Sequence, residues 1–117
     1  MISLWIGIVV LVVFVFLAKI SMGASGVDPA AAKEKIKQGA TVIDVRTPSE
    51  YESGHYQGSK NIPLQELQDH LAEIGDKNKA IVVYCASGMR SGKAAKILTA
   101  AGFTDVTNAG GLRNLEE

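Results

Sequence analysis

Ala80-Ile81-Val82-Val83-Tyr84-Cys85-Ala86-Ser87-Gly88-Met89-Arg90-Ser91-Gly92-Lys93-Ala94-Ala95-Lys96 is the stretch on which the fold turns. Ala80 to Tyr84 is the most apolar run of the chain's polar part and reads as a central parallel strand buried on both faces. Ser91 to Ala101 reads as an alanine-rich helix closed by Gly102. Outward from this strand–loop–helix unit the same alternation repeats. Asp28-Pro29 is a helix cap followed by proline at the first helical position, and Ala30 to Gln38 is helix-forming until Gly39. Thr41 to Val45 is a short buried strand. Thr47-Pro48-Ser49-Glu50 starts a brief helix that Gly54 ends, and Pro63 keeps Asn61-Ile62-Pro63-Leu64 extended. Leu64, Leu67, Leu71 and Ile74 have helical spacing and predict a core-packed helix ended by Gly75-Asp76, while Thr104-Asp105-Val106 is a further short strand. Strands alternating with helices predict an α/β class: a single domain with a parallel sheet flanked by helices on both faces.

A different physical regime precedes this domain. Met1 to Ala18 (MISLWIGIVVLVVFVFLA) has no charged side chain. As a helix these residues rise about 27 Å, close to the hydrocarbon thickness of a bilayer. Trp5 and Lys19 suit the two interfaces. Residues 1–20 are therefore expected to be a transmembrane helix or signal-anchor, with residues 2–18 in the lipid bilayer, 21–26 (SMGASG) a linker and 27–117 the folded domain. A cleaved secretory signal is the competing reading, since Ser21 and Gly23 are small, but no Lys or Arg precedes the apolar run. Lys19, Lys33, Lys35 and Lys37 follow it, which predicts a single pass through a bacterial inner membrane with the domain in the cytoplasm; a periplasmic domain is the alternative.

Charge and cysteine count exclude several classes. The chain of 117 residues balances 12 Lys and Arg against 12 Asp and Glu, and beyond Lys19 it carries eleven of the former against twelve of the latter. It has no basic field for nucleic acid. One cysteine excludes an intrachain disulfide and a multi-cysteine zinc site, and two distant histidines, His55 and His70, add no metal site. His70 reads as solvated.

The chemistry concentrates where strand meets helix. Ligands of parallel α/β sheets sit at the carboxyl ends of strands, and Cys85 occupies such an end. A cysteine there is often only a small buried apolar residue. Here it is followed by Ala86-Ser87-Gly88-Met89-Arg90, which places a nucleophile, a glycine-containing loop able to aim backbone N–H groups at one atom, and a fixed cation in one small region. Helix dipole and Arg90 both favour thiolate. Such a nest suits an anion built on sulfur or phosphorus.

Cys85-Ala86-Ser87-Gly88-Met89-Arg90-Ser91 resembles the active-site loop of the rhodanese, or thiosulfate sulfurtransferase, family. Ile43-Asp44-Val45-Arg46-Thr47-Pro48-Ser49-Glu50-Tyr51 is similar to the family's first signature. Gly54-His55-Tyr56-Gln57-Gly58-Ser59 and Asn61-Ile62-Pro63-Leu64 are similar to its second, and Asn108-Ala109-Gly110-Gly111 to its closing segment. The ending most resembles the small single-domain bacterial type of phage-shock protein E, whose best-known member is periplasmic. The resemblance spans Val27 to Leu115. It implies a rhodanese-like domain without a cofactor, in which Cys85 takes sulfane sulfur from thiosulfate or another donor, carries it as a persulfide, and passes it to cyanide, a small thiol or a protein thiol. It further implies that Ala86, Ser87, Gly88, Met89 and Arg90 bind the substrate, their N–H groups ringing the terminal sulfur while Arg90 compensates a dianionic donor.

Two other functions compete. Rhodanese-fold phosphatases and arsenate reductases also combine cysteine with arginine, but place five residues between them. Ala86 to Met89 are four, a smaller cradle suited to sulfur, and the loop has no acid to protonate a leaving alkoxide. A membrane-tethered binding module without catalysis is the third reading, against which the intact cysteine loop stands. Asp44 and Arg46, with Glu50, are expected to form an ion-pair network fixing the strand end, with a substrate contact from Arg46 as the alternative. His55 reads as a locally bonded loop residue rather than a base for Cys85. Past Gly110-Gly111 the family pattern continues to an aromatic residue and a last helix. This sequence instead has Leu115 and ends at Glu117, so the core is expected to be less covered at that edge.

Overall fold

The computed structural model describes residues 26–116. The expected span at 1–20 and nearly all of the linker lie outside them. Among the described residues no helix is long and apolar enough to cross a membrane.

Helix α1 (Pro29–Lys37) starts where the sequence predicts, with the Asp28 carboxylate accepting from the Ala31 N–H at 3.0 Å. Strand β1 (Thr41–Asp44) follows, then helix α2 (Pro48–Glu52). The latter opens with a reciprocal cap: Thr47 Oγ1 accepts from the Glu50 N–H, and the Glu50 carboxylate accepts from the Thr47 N–H at 3.1 Å. Strand β2 is short (Lys60–Asn61), but Ile62 and Leu64 continue to donate to the carbonyls of Asp44 and Val45. Strand β3 is Ile81–Cys85, helix α4 Met89–Ala100, strand β4 Val106–Gly111 and helix α5 Leu112–Glu116, with α3 (Leu71–Ile74) preceding β3.

All strand pairings are parallel and the order is β2-β1-β3-β4. β3 is interior and wholly buried, as its apolar run predicts. Its alternation sorts side chains between two cores. Ile81, Val83 and Cys85 face Ala94, Ala95 and Leu98 of α4 together with Leu67. Val82 and Tyr84 face Ala32, Ala109 and Leu115 on the other side.

Three expectations change. Leu64–His70 is a 3₁₀ helix, not α, and only α3 completes an α turn. The three-residue spacing of Leu64 and Leu67 serves a 3₁₀ helix equally well, and its first bond, Glu66 N–H to the Pro63 carbonyl, is of that type. The last strand is Val106–Gly111 rather than Thr104–Val106, because Thr104 donates to the Lys77 carbonyl and lies in a loop. A last helix is present, and Leu115, 7% exposed, closes the second core at the edge expected to be open.

β4 also contains a bulge. Val83 pairs with Asn108 but Tyr84 pairs with Gly110, so Ala109 is the extra residue and Gly110-Gly111 are carried beside Tyr84 and Cys85. The backbone there approaches so closely that a Cβ on Gly111 would sit 2.5 Å from the Ala86 carbonyl oxygen. Gly111→Ala should therefore cost ~1–3 kcal/mol in unfolding free energy, the usual cost of overpacking a tight site. Urea denaturation checks this, and an unchanged midpoint would show that the loop after Cys85 yields to a methyl group.

Candidate active site

Cys85 closes β3 and is fully buried. The chain then turns through Ala86 and Ser87 to Gly88, which takes φ 100°, a left-handed conformation that suits glycine. This turn brings the Gly88 N–H back onto Cys85 Sγ at 2.9 Å. Helix α4 has no side-chain cap at Gly88; the sulfur accepts at its start instead. One turn further, the buried Ser91 hydroxyl lies 3.4 Å from Sγ.

These bonds decide the state of the thiol. Burial pushes the Cys85 pKa up, but the Ser91 hydroxyl and the backbone N–H groups of Ser91, Gly88 and Ser87 outweigh it, so the net shift is downward. The buried sulfur thus has hydrogen-bond partners that favour its ionised form. Of the loop residues, Ser87 and Gly88 supply N–H groups to the sulfur. Ala86 turns its carbonyl toward Gly111. Met89 leaves its side chain 74% exposed at the start of α4.

β4 supports the loop from beneath. Asn108, buried, donates from Nδ2 to the Gly88 carbonyl at 3.5 Å and accepts the Gly110 N–H at 2.9 Å. A Cβ on Gly88 would meet Gly110 and Val27 at 3.3 Å, and Gly110 itself has φ 87°. Loop and closing segment are consequently one packed unit.

Arg90 is placed differently from expectation. Its two terminal nitrogens donate to the two carboxylate oxygens of Glu50, Nη1 to Oε1 at 2.7 Å and Nη2 to Oε2 at 3.0 Å. Arg90 chiefly, with Thr47 assisting, holds the Glu50 carboxyl down to about 2, and Glu50 raises the Arg90 pKa. The expected network of Asp44, Arg46 and Glu50 is therefore split in two. Asp44 and Arg46 pair alone, with Nη2 to Oδ2 at 2.6 Å, and Arg46 also donates to the Gly54 carbonyl at 2.7 Å and lies over the Tyr84 ring. That pair is buried and ties β1 to the turn after α2. The end-on face of the Arg90 guanidinium is thus turned to Glu50.

The histidines are local. His55 stacks on Tyr51 with ring centroids 3.7 Å apart and its Nδ1 lies 2.8 Å from the Tyr51 carbonyl. His70 lies 3.0 Å from Glu73. Asn61, in the second signature, donates to the carbonyls of Asp44 and Arg46, both at 3.0 Å, holding the end of β1.

Cys85 thus stands at a strand end with its sulfur accepting from the N–H of a glycine turn. The model of the rhodanese-like domain matches residues 28–116. The chain belongs to the rhodanese-like domain family. It is 47% identical over 74 residues to thiosulfate sulfurtransferase PspE of Escherichia coli, a match covering 62% of this chain and 71% of that protein. To thiosulfate sulfurtransferase GlpE of Pseudomonas syringae it is 35% identical, over 73% of this chain and 79% of the relative. Among solved structures, a rhodanese with anions from E. coli superposes with a TM-score of 0.62 at 45% identity, covering 65% of this chain and 91% of the other.

Sequence reasoning on this rhodanese-like loop missed Ser91 as a partner of the sulfur and Glu50 as the partner of Arg90. Ser91 sits six residues after Cys85, on the first turn of the following helix, and that spacing was the available signal. Ser91→Ala should raise the Cys85 thiol pKa, because the hydroxyl that favours thiolate is lost while burial stays. Thiolate absorbance titrated against pH checks this, and an unchanged midpoint would leave the backbone N–H groups as the sole cause.

Proposed function

We propose that this chain is a sulfurtransferase that moves sulfane sulfur from a donor such as thiosulfate to a thiophilic acceptor, cyanide or a thiol, through a persulfide on Cys85. The supporting observation is the Cys85 sulfur itself, buried at the end of β3 and accepting the Gly88 N–H at 2.9 Å in a setting that lowers its pKa. Relatives of this family at 35% and 47% identity bear the name thiosulfate sulfurtransferase. In the first half-reaction the Cys85 thiolate attacks the outer sulfur of thiosulfate, the donor S–S bond breaks, and its electron pair departs on sulfite. In the second, the acceptor attacks the terminal sulfur and the Cys85 thiolate leaves. Negative charge sits on sulfur throughout, so preorganised N–H donors are the required stabilising groups and no proton need be supplied. Ala86 to Arg90 form the donor-binding loop in this reading, with Asp44 and Arg46 holding the neighbouring strand end.

Intact mass tests this directly. Thiosulfate should add one sulfur atom to the protein, cyanide or dithiothreitol should remove it, and Cys85→Ser should never gain it. A folded wild-type protein of unchanged mass would overturn the assignment.

We read Met1 to Ile20 as an anchor that holds the domain at a bacterial inner membrane, on the cytoplasmic side by the distribution of lysines. Deleting these residues should move sulfurtransferase activity from the membrane fraction to the soluble fraction. An impermeant thiol reagent on intact cells reads the side: labelling of Cys85 before lysis would place the domain in the periplasm.

A further inference from the structure

We propose, on the reading of Cys85 as the sulfur carrier, that Glu50 is a specificity-determining residue: by neutralising Arg90 beside the loop, its carboxylate favours singly charged sulfane-sulfur donors over dianionic thiosulfate.

The pair lies beside the loop and is partly open to solvent. Arg90 is in the first turn of the helix that follows the Cys85 loop, and the side chains of Arg90 and Glu50 are 33% and 34% exposed. Both terminal nitrogens of Arg90 are committed to Glu50. The carboxylate is also held from its own side, accepting from the Thr47 N–H at 3.1 Å and the Thr47 hydroxyl at 3.0 Å, so it stays in place independently of Arg90. The other arginine of this region is no substitute. Arg46 is buried against Asp44 and bonded to the Gly54 carbonyl. Among the described residues, the two arginines of this region are thus each matched by a carboxylate.

A donor approaching Cys85 meets the thiolate's negative charge, and the repulsion scales with the donor's own charge. Thiosulfate carries two negative charges and an organic thiosulfonate one, yet both deliver the same sulfur. Attack of the thiolate on benzenethiosulfonate forms the Cys85–sulfur bond, breaks the donor S–S bond and releases benzenesulfinate. Attack on thiosulfate differs only in releasing sulfite. With Arg90 neutralised, the dianion meets the larger electrostatic penalty, and the loop N–H groups offset it without help from a full positive charge.

The test compares these two donors on the full chain. Glu50→Gln keeps an oxygen that accepts from Thr47 and Arg90 but removes the charge. It should raise kcat/KM for thiosulfate roughly three- to ten-fold relative to benzenethiosulfonate at low ionic strength, and added salt should shrink that gain. Thr47→Val breaks the helix cap and leaves the Glu50–Arg90 pair, so the donor ratio should stay within about two-fold of wild type. The wild type gives a reading that needs no variant: its thiosulfate-to-benzenethiosulfonate ratio should hold or rise with salt. A wild-type ratio that falls with salt would reveal a free cation and overturn the proposal, as would a Glu50→Gln ratio equal to wild type or an equal loss with both donors. Absence of persulfide from either donor would overturn the sulfurtransferase reading itself.

Discussion

A sulfur buried at the end of a central strand can carry charge only where hydrogen bonds satisfy it, and the segments that follow Cys85 supply them. Desolvation alone would drive Cys85 toward the neutral thiol. The opposing donors come from the turn and helix that follow it. Gly88 reaches the sulfur in a conformation with φ 100°, and a Cβ on it would press on the Gly110 Cα and on Val27 at 3.3 Å. Gly111 in turn lies against the Ala86 carbonyl with no room for a methyl group. The bulge at Ala109 brings both glycines to that level of the sheet. Strand register, glycine placement and thiol chemistry are links of one chain of cause.

The charged groups near the loop divide by burial. Asp44 and Arg46 are out of water, and each would be a costly orphan alone, so the pair with its bond to the Gly54 carbonyl acts as a fixed strut. Glu50 and Arg90 are partly exposed, where an ion pair contributes little to stability but still sets the local potential. The buried pair therefore acts on shape, and in the proposed reading the exposed pair acts on the charge that a donor meets.

Much of this was legible in the sequence. The apolar run at Ile81–Tyr84, the proline caps at Asp28 and Thr47 and the Cys85-to-Arg90 loop carry their meaning locally, through periodicity and turn chemistry over a few residues. What escaped depends on contacts between distant segments. Glu50 and Arg90 are separated by 40 positions, and nothing in either local sequence says that they meet. The true extent of β4 was hidden because Asn108-Ala109-Gly110-Gly111 looks like a turn by composition, glycine and asparagine being strand breakers. Its strand conformation comes from pairing with β3 and from the loop that only glycine can admit. The 3₁₀ segment was misread for a third reason: its spacing fits two helix types, and the choice lies in backbone bonds.

The position of Cys85 on β3 lets its sulfur be both buried and hydrogen-bonded by the following loop. Cys85 shares its face with Ile81 and Val83, so its side chain belongs to the α4 core, yet it is the last residue of the strand and the donors that hold it belong to the loop. A group one residue earlier, Tyr84, faces the opposite core and spends its hydroxyl on Tyr56 and Ser59. Alternation along the strand therefore ties the Tyr84 hydroxyl to the segment after α2 and leaves the Cys85 sulfur to the loop before α4. Loop and strand are tied together by Asn108 and by the close approach of Gly88, Gly110 and Gly111 rather than by large side chains, so the hydrogen bonds that reach the sulfur depend on the register of β4.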